Sequence, residues 1–474
     1  MITIPSAEIK IDPSSYVDSA GRVFFWNGRV FRGIHAPHTP FIRQILSDQV
    51  IQDLQARGML VRTWIPEERA EAFDFVLEHA QIQFPSYCME WTPSMLKDAA
   101  LLTLHICRKL ADHDFALQDA YPWNIFFDGT RPVFIDFGSI MPARSDALWA
   151  PYDQFCNFFL FPLYLYSAGL YDFARGRLFD YLNGITHEQF ISAAPFALKW
   201  RYPLRYAKLA ISYRLANAVG QFGWEDKARS TMQKTIARVD IKRGRRKFFE
   251  SLIKEVEMIR LPRGSSFWSR YHKPEVCSYQ DSELQAKETA VQSVLETYHP
   301  RSIVDIGCNT GAFSKLASAQ GCKAVAFDTD AASVERLYLD AKDTRKDITP
   351  LTMDVLNPTP NFGWRGKQFP AAHERIEGDM VFAFALIHHL AITGRQGFAR
   401  ALDAIDGFSN SRVLLEWVSP EDLKVKKLIA NSRRDHSWYS FDELKRCLDA
   451  RYKGIAYYPA HTPTRQFVLY EKQL

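Results

Sequence analysis

Apolar and polar positions alternate in two rhythms along this chain, and the rhythm changes near its middle. In residues 22–32, aromatic and β-branched side chains flank Asn27-Gly28. That dipeptide favours a tight two-residue turn, so the segment predicts a β-hairpin. Residues 41–57 follow a helical period. Residues 73–79 and 85–91 read as strands, and a helix is expected over 94–111, after Pro93. The most apolar stretch, 155–170, is broken by Asn157 and Pro162. It is too short and interrupted to span a bilayer and reads as a buried helix. Residues 194–260 keep a helical pattern, with Tyr206, Leu209, Ala210 and Tyr213 on one face. The Pro-, Gly- and Ser-containing stretch 261–266 is the best domain boundary.

Beyond it, short apolar runs and helical segments take turns. A helix over 282–298 leads into 302–306, which contains Asp305 and runs into a turn with Gly307 and Gly311. Further runs at 323–328, 349–353, 379–386 and 412–418 lead to Asp328, to Asp354, to His388-His389, and to the loop after Glu416. Segments 455–458 and 466–470 form a closing antiparallel hairpin. Strands alternating with helices predict a doubly wound parallel sheet, whose ligands bind at the carboxyl ends of the strands. The expected division is 1–245, a helical linker at 246–270, and 271–474.

Composition narrows the picture. The 474 residues suffice for two or three domains, and 47% hydrophobic with 24% charged is ordinary for a globular protein. A net charge of +5 does not imply a nucleic-acid partner, and the basic run 241–247 reads as a solvated helix face. The seven cysteines include no C-x-x-C pair, which argues against a disulfide framework, a zinc ribbon or an iron–sulfur radical site. No signal-peptide pattern opens the chain, so a reducing cytoplasm is the expected location.

The second half carries the clearer chemistry. Its turn Asp305-Ile306-Gly307-Cys308-Asn309-Thr310-Gly311 lacks the full dinucleotide fingerprint, because Asn309 and Ala312 stand where further glycines are wanted. The pattern D-x-G-x-x-x-G followed by the strand-end acid Asp328 resembles the class I S-adenosylmethionine (SAM) dependent methyltransferases. The resemblance implies that Asp305 and the turn with Gly307, Cys308, Asn309 and Gly311 face the methionine part. Phe313, Thr329 and Ala385 line the same site. Asp328 takes the ribose hydroxyls, and Asp354 with the backbone of Val355 meets the adenine. Methyl transfer is an in-line displacement governed by orientation, assisted by proton removal from the acceptor. His388, His389 and Glu416, past the fourth and at the fifth strand end, are the candidate bases. His436, Trp438 and Tyr439 are expected on a substrate-facing cap, preceded by Lys424, Lys426, Lys427, Arg433 and Arg434.

In the first half, Asp119, Asn124 and Asp136-Phe137-Gly138 resemble the catalytic core of protein kinases and aminoglycoside phosphotransferases. There Asp119 is the base, and Asn124 and Asp136 hold magnesium against ATP. Leu117 replaces the usual His, no Gly-rich loop precedes, and residues 41–65 offer only Arg43, Arg57 and Arg62 as cations. The whole resembles the nodulation-protein type of methyltransferase. The expected fold is thus α/β: a Rossmann-like C-terminal methyltransferase sheet preceded by an α+β kinase-like domain. The implied function is methyl transfer from SAM to an oxygen or nitrogen of a small-molecule or glycan acceptor, with an anionic acceptor as one option. The kinase-like domain has a regulatory or substrate-presenting role. The alternatives are a bifunctional kinase–methyltransferase using ATP and magnesium, and a non-catalytic interaction protein.

Overall fold

A computed structural model describes residues 2–144, 148–194, 196–202, 241–262, 264, 266, 281–460 and 462–472. The second half is built on a seven-stranded sheet. Its strands are β1 (Ser302–Ile306), β2 (Lys323–Asp328), β3 (Ile348–Thr352), β4 (Gly378–Ala383), β5 (Ser409–Val418), β6 (Lys453–Pro459) and β7 (Arg465–Glu471). Their order is β3-β2-β1-β4-β5-β7-β6. The first five run parallel, and β7 inserts antiparallel between β5 and β6. β1 and β3 are buried along their whole length, which explains their continuous apolar runs. Strand order reverses between β1 and β4, the switch point at which a doubly wound sheet has its ligand crevice.

The first half has a five-stranded antiparallel sheet, ordered Lys10–Ile11, Gly21–Trp26, Arg29–Ile34, Phe75–His79, Thr63–Trp64. The hairpin expected at 22–32 is present, and its turn residues Asn27 (φ 49°) and Gly28 (φ 73°) take the left-handed values that turn demands. The helical pattern at 41–57 resolves into Thr39–Ser47 and Gln49–Ala56. They break at Asp48, whose carboxylate caps the second helix. Thr92 caps the helix Pro93–Leu110. The apolar stretch after 152 is helical, with a π-turn at Cys156–Leu160.

One expectation is corrected here. Residues 85–91 form turns rather than a strand, because their backbone groups serve each other and the second half: Glu90 N donates to Tyr87 O, while Glu90 O accepts from Thr352 N. The basic run on the helix Ile241–Met258 is the exposed face expected at Lys242, Arg243, Arg246 and Lys247, with Lys242 and Arg246 pairing at the surface with Asp114 and Asp112. Arg245 departs from it: buried, it donates to the carbonyls of Leu148 and Arg144. Tyr206, Leu209, Ala210 and Tyr213 lie outside the described residues.

The halves share one hydrophobic core. It joins Trp91 and Phe127 of the first half to Tyr338, Leu351 and Met353 of the second, and the rings of Phe127 and Tyr338 meet at 6.2 Å. Among the described residues no helix is long and apolar enough to cross a membrane.

Candidate functional site

The crevice between β1 and β4 is shaped by backbone that ordinary residues avoid. After β1 the chain passes through Gly307 (φ 71°), Asn309 (φ 51°) and Gly311 (φ 72°), and after β4 through Ala385 (φ 48°). A left-handed alanine costs about 1–2 kcal/mol, and such strain concentrates where a ligand is held. A Cβ on Gly311 would lie 2.5 Å from Leu337 Cδ1, so this position requires glycine. The two loops touch: Leu386 lies 3.4 Å from where a Gly307 Cβ would stand, and the Phe313 and Phe384 rings meet edge-on at 4.8 Å.

The acids sit at the carboxyl ends of neighbouring strands. Asp305, 3% exposed, accepts from the Ser314 hydroxyl at 2.5 Å. Burial pushes its carboxyl up to about 7, against the lowering effect of that hydroxyl. Asp328 accepts from the backbone N–H of Asn309 and of Asp330, both at 2.9 Å, which fixes the glycine turn to β2. Its carboxyl is also raised by burial. Thr329 follows it, exposed, and the buried Cys308 thiol is held neutral by desolvation. Asp354 lies two residues past β3, exposed, accepting from Leu356 N at 2.9 Å, with Val355 buried beside it. Among the described residues none of Asp305, Asp328 and Asp354 has a Lys or Arg ion-pair partner.

Beyond Ala385 the chain enters a π-turn, His389–Thr393. Such turns re-aim side chains at functional sites. His388 is 2% exposed, its Nδ1 is buried without a hydrogen-bond partner, and its ring lies 4.2 Å from that of the half-buried His389. Desolvation first, then the neighbouring His389, Arg465 and Lys287, hold His388 well below the usual imidazole range. His389 is lowered by burial.

Glu416 is placed differently from the two histidines. It is fully buried, with Lys287 Nζ at 2.6 Å and Arg465 Nη1 at 3.2 Å; Arg465 also reaches Asp422 at 3.0 Å. A carboxylate claimed by two buried cations is held in position and withdrawn from an acceptor. Tyr439 likewise departs from the expected cap. It is 2% exposed, stacks on Trp417 at 5.0 Å and donates to Val418 O at 2.8 Å. The partners of Glu416 come from a helix and a strand at opposite ends of the second half, so no local pattern announced them.

In the first half the kinase-like residues do meet. Asn124 Nδ2 lies 3.5 Å from Asp136 Oδ2, and Asp119 is half-buried with its carboxyl raised by burial and then by Asp136. A cation the sequence reading missed joins them. Arg32, on the strand Arg29–Ile34 and 5% exposed, donates to Asp136 Oδ1 at 2.9 Å and also pairs with Asp18. The backbone N–H of Gly138 fills the same oxygen of Asp136 at 3.1 Å. The cation thus comes from the hairpin and not from 41–65, and its available signal was an arginine directly after Phe31 in an otherwise apolar stretch of that hairpin.

No family model matches the chain. It is 27% identical over 451 residues to the nodulation protein NoeA of Rhizobium meliloti (strain 1021), covering 93% of this chain and 92% of that one. Several solved structures are similar to part of the chain at low overall score. Magnesium protoporphyrin IX methyltransferase of Synechocystis PCC 6803, solved with bound SAH, matches at 14% identity over 44% of this chain and 93% of its own (TM-score 0.31). The N-methyltransferase NodS of Bradyrhizobium japonicum WM9 matches at 10% over 41% and 99% (TM-score 0.30). The bifunctional kinase-methyltransferase WbdD matches at 14% over 41% of this chain and 40% of its own (TM-score 0.28).

Proposed function

We propose that the second half binds S-adenosylmethionine and transfers its methyl group to an oxygen or nitrogen of an acceptor. The observation that carries this reading is the set of acids at the ends of β1, β2 and β3, without ion-pair partners among the described residues, around a strained glycine turn at the switch point. Such a rim suits a ligand bearing an ammonium and a sulfonium. SAM, when bound, supplies an activated methyl group on a cationic sulfur.

The chain's own residues do the rest. Asp305 and the turn through Gly307, Cys308, Asn309 and Gly311 hold the methionine end, with Phe313 and Ala385 as walls. Asp328, with Thr329 beside it, takes the ribose hydroxyls, and Asp354 with Val355 takes the adenine edge. Burial and nearby cations hold His388 neutral and weaken it as a base, so in this reading it takes the acceptor's proton only as the acceptor is methylated and becomes acidic. Glu416 anchors Lys287 and Arg465 beside it and acts as a positioning residue. His389 packs against His388 and bounds the acceptor side.

The first half has a regulatory or substrate-presenting role in this reading. Arg32 neutralises Asp136 where a magnesium ion would otherwise be needed, which disfavours the bifunctional alternative. Similarity to a nodulation protein along nearly the whole chain supports a function that uses both halves together. Calorimetric titration with SAM tests the assignment: one site in the wild type, none in Gly307→Arg. Turnover of labelled SAM with cell extract separates an enzyme from a SAM-binding interaction protein.

A further inference from the structure

β3 is the edge strand of the large sheet, and edge strands leave a row of backbone groups without partners. Here the first half covers that edge at the end that matters. Thr352, the last residue of β3, donates its N–H to Glu90 O at 2.7 Å. Its carbonyl accepts from Arg175 Nη2 at 2.7 Å, and its hydroxyl lies 3.4 Å from the Tyr171 hydroxyl. Arg175 also donates through Nε to Met89 O at 2.7 Å, so one guanidinium ties the 85–91 turns to β3. Those turns are themselves fixed. Glu90 is fully buried, pairs with Arg375, and accepts from Tyr87 N at 2.9 Å, while the Arg375 guanidinium lies 4.1 Å over the Tyr87 ring.

The position of the next residues follows from this. Met353 N donates inward to Asp328 O at 3.0 Å, and Asp354 begins a tight loop closed by its own carboxylate on Leu356 N and its carbonyl on Asn357 N. The loop is therefore rigid within itself, and its placement relative to Asp328 depends on Thr352. On the inner side Thr352 is held by the sheet. On the outer side it is held by Glu90, Tyr171 and Arg175 of the first half.

We infer that Arg175, acting with the Glu90 carbonyl, is a positioning residue for the adenine end of the SAM site, so that the first half is a working part of the cofactor pocket. This rests on the SAM reading above. It gives the first half a task that needs no phosphoryl transfer, and it explains why the 85–91 segment forsakes strand pairing. It also assigns the two halves to one functional unit, because the acid-bearing loop of one is set by side chains of the other.

The test compares two ligands on the full-length protein: SAM, and a SAM analogue whose purine lacks the 6-amino group. A hydrogen bond from the amine to a carboxylate makes SAM the tighter ligand of the wild type by about tenfold. Arg175→Ala should weaken SAM by about tenfold while leaving the analogue within about twofold, so the preference disappears. General damage to the fold would weaken both ligands alike and leave the preference intact, and that outcome overturns the inference. Should Arg175→Ala fail to fold, Arg175→Lys keeps the charge but not the two-carbonyl bridge, and its preference should fall at least threefold. An unchanged preference in Arg175→Lys also overturns it. A wild type that binds neither ligand overturns the SAM reading itself and this inference with it.

Discussion

The two halves of this protein each gather acids around a turn, but they solve the charge problem differently. In the first half Asp136 is neutralised from within, by Arg32 at 2.9 Å, which also pairs with Asp18. In the second half Asp305 is buried and Asp328 partly so, yet among the described residues each is satisfied by hydroxyl or backbone N–H groups and not by a cation. Buried charge is costly unless paired. Asp136 therefore already has its cation, whereas in the proposed reading the second site is completed by a cation that arrives from outside. A motif of acids at the right spacing looks the same in a sequence in either case. Only the partner of each carboxylate separates a filled site from a waiting one.

The comparison can be broken most sharply at the glycine turn. Gly307→Arg, which puts a long side chain on a left-handed residue facing Leu386, should abolish SAM binding by calorimetry. Asp136→Ala in the other half should leave the SAM affinity within about twofold, since among the described residues no hydrogen bond or ion pair joins that acid to the cofactor residues. Next in size is His388→Asn. Turnover of labelled SAM should fall about 10²-fold or more while SAM affinity is kept, and the acidic limb of the rate profile should vanish with the imidazole.

Arg32→Gln probes the other side of the contrast. It leaves Asp136 and Asp18 without their cation at a buried position and should cost about 3–5 kcal/mol in thermal or denaturant unfolding. The same variant should acquire weak manganese binding, measurable by electron paramagnetic resonance, at a site the wild type keeps closed. Saturable manganese binding by the wild type that Asp136→Ala removes would instead favour the bifunctional alternative.

The smallest effect concerns pH. Asp305 sits at about 7 without ligand, above the ordinary carboxylate range. Its neutral form stabilises the unliganded protein at acidic pH, and that contribution is lost as pH rises through about 7. A cationic ligand favours the ionised form, so SAM affinity should climb about tenfold between pH 6 and 8 and level off above. Asp305→Asn should flatten that dependence.

Much of the second half was legible because its signals are local. Each parallel strand is a short apolar run leading to an acid or a histidine pair, and Gly307 and Gly311 marked the tight turn after β1. The hairpin at Asn27-Gly28 was equally plain. What escaped were pairings between distant parts of the chain: Arg32 with Asp136, Lys287 and Arg465 with Glu416, and Arg175 with Met89 and Thr352. The misread strand at 85–91 belongs to this group. Its aromatic residues fit a strand, but Tyr87 meets Phe362 and Phe369 of the other half edge-on, at 5.4 and 5.7 Å, and the backbone turns to reach Thr352. Local patterns place the elements; contacts between the halves decide what the acids can do.

The most direct test of the contrast is a calorimetric titration of the full-length protein with SAM at pH 6, 7 and 8, repeated for Gly307→Arg. The account predicts one site per chain, tightening as pH rises, and no binding by the variant. Binding of equal strength in both proteins, or no heat at any pH in the wild type, would contradict it.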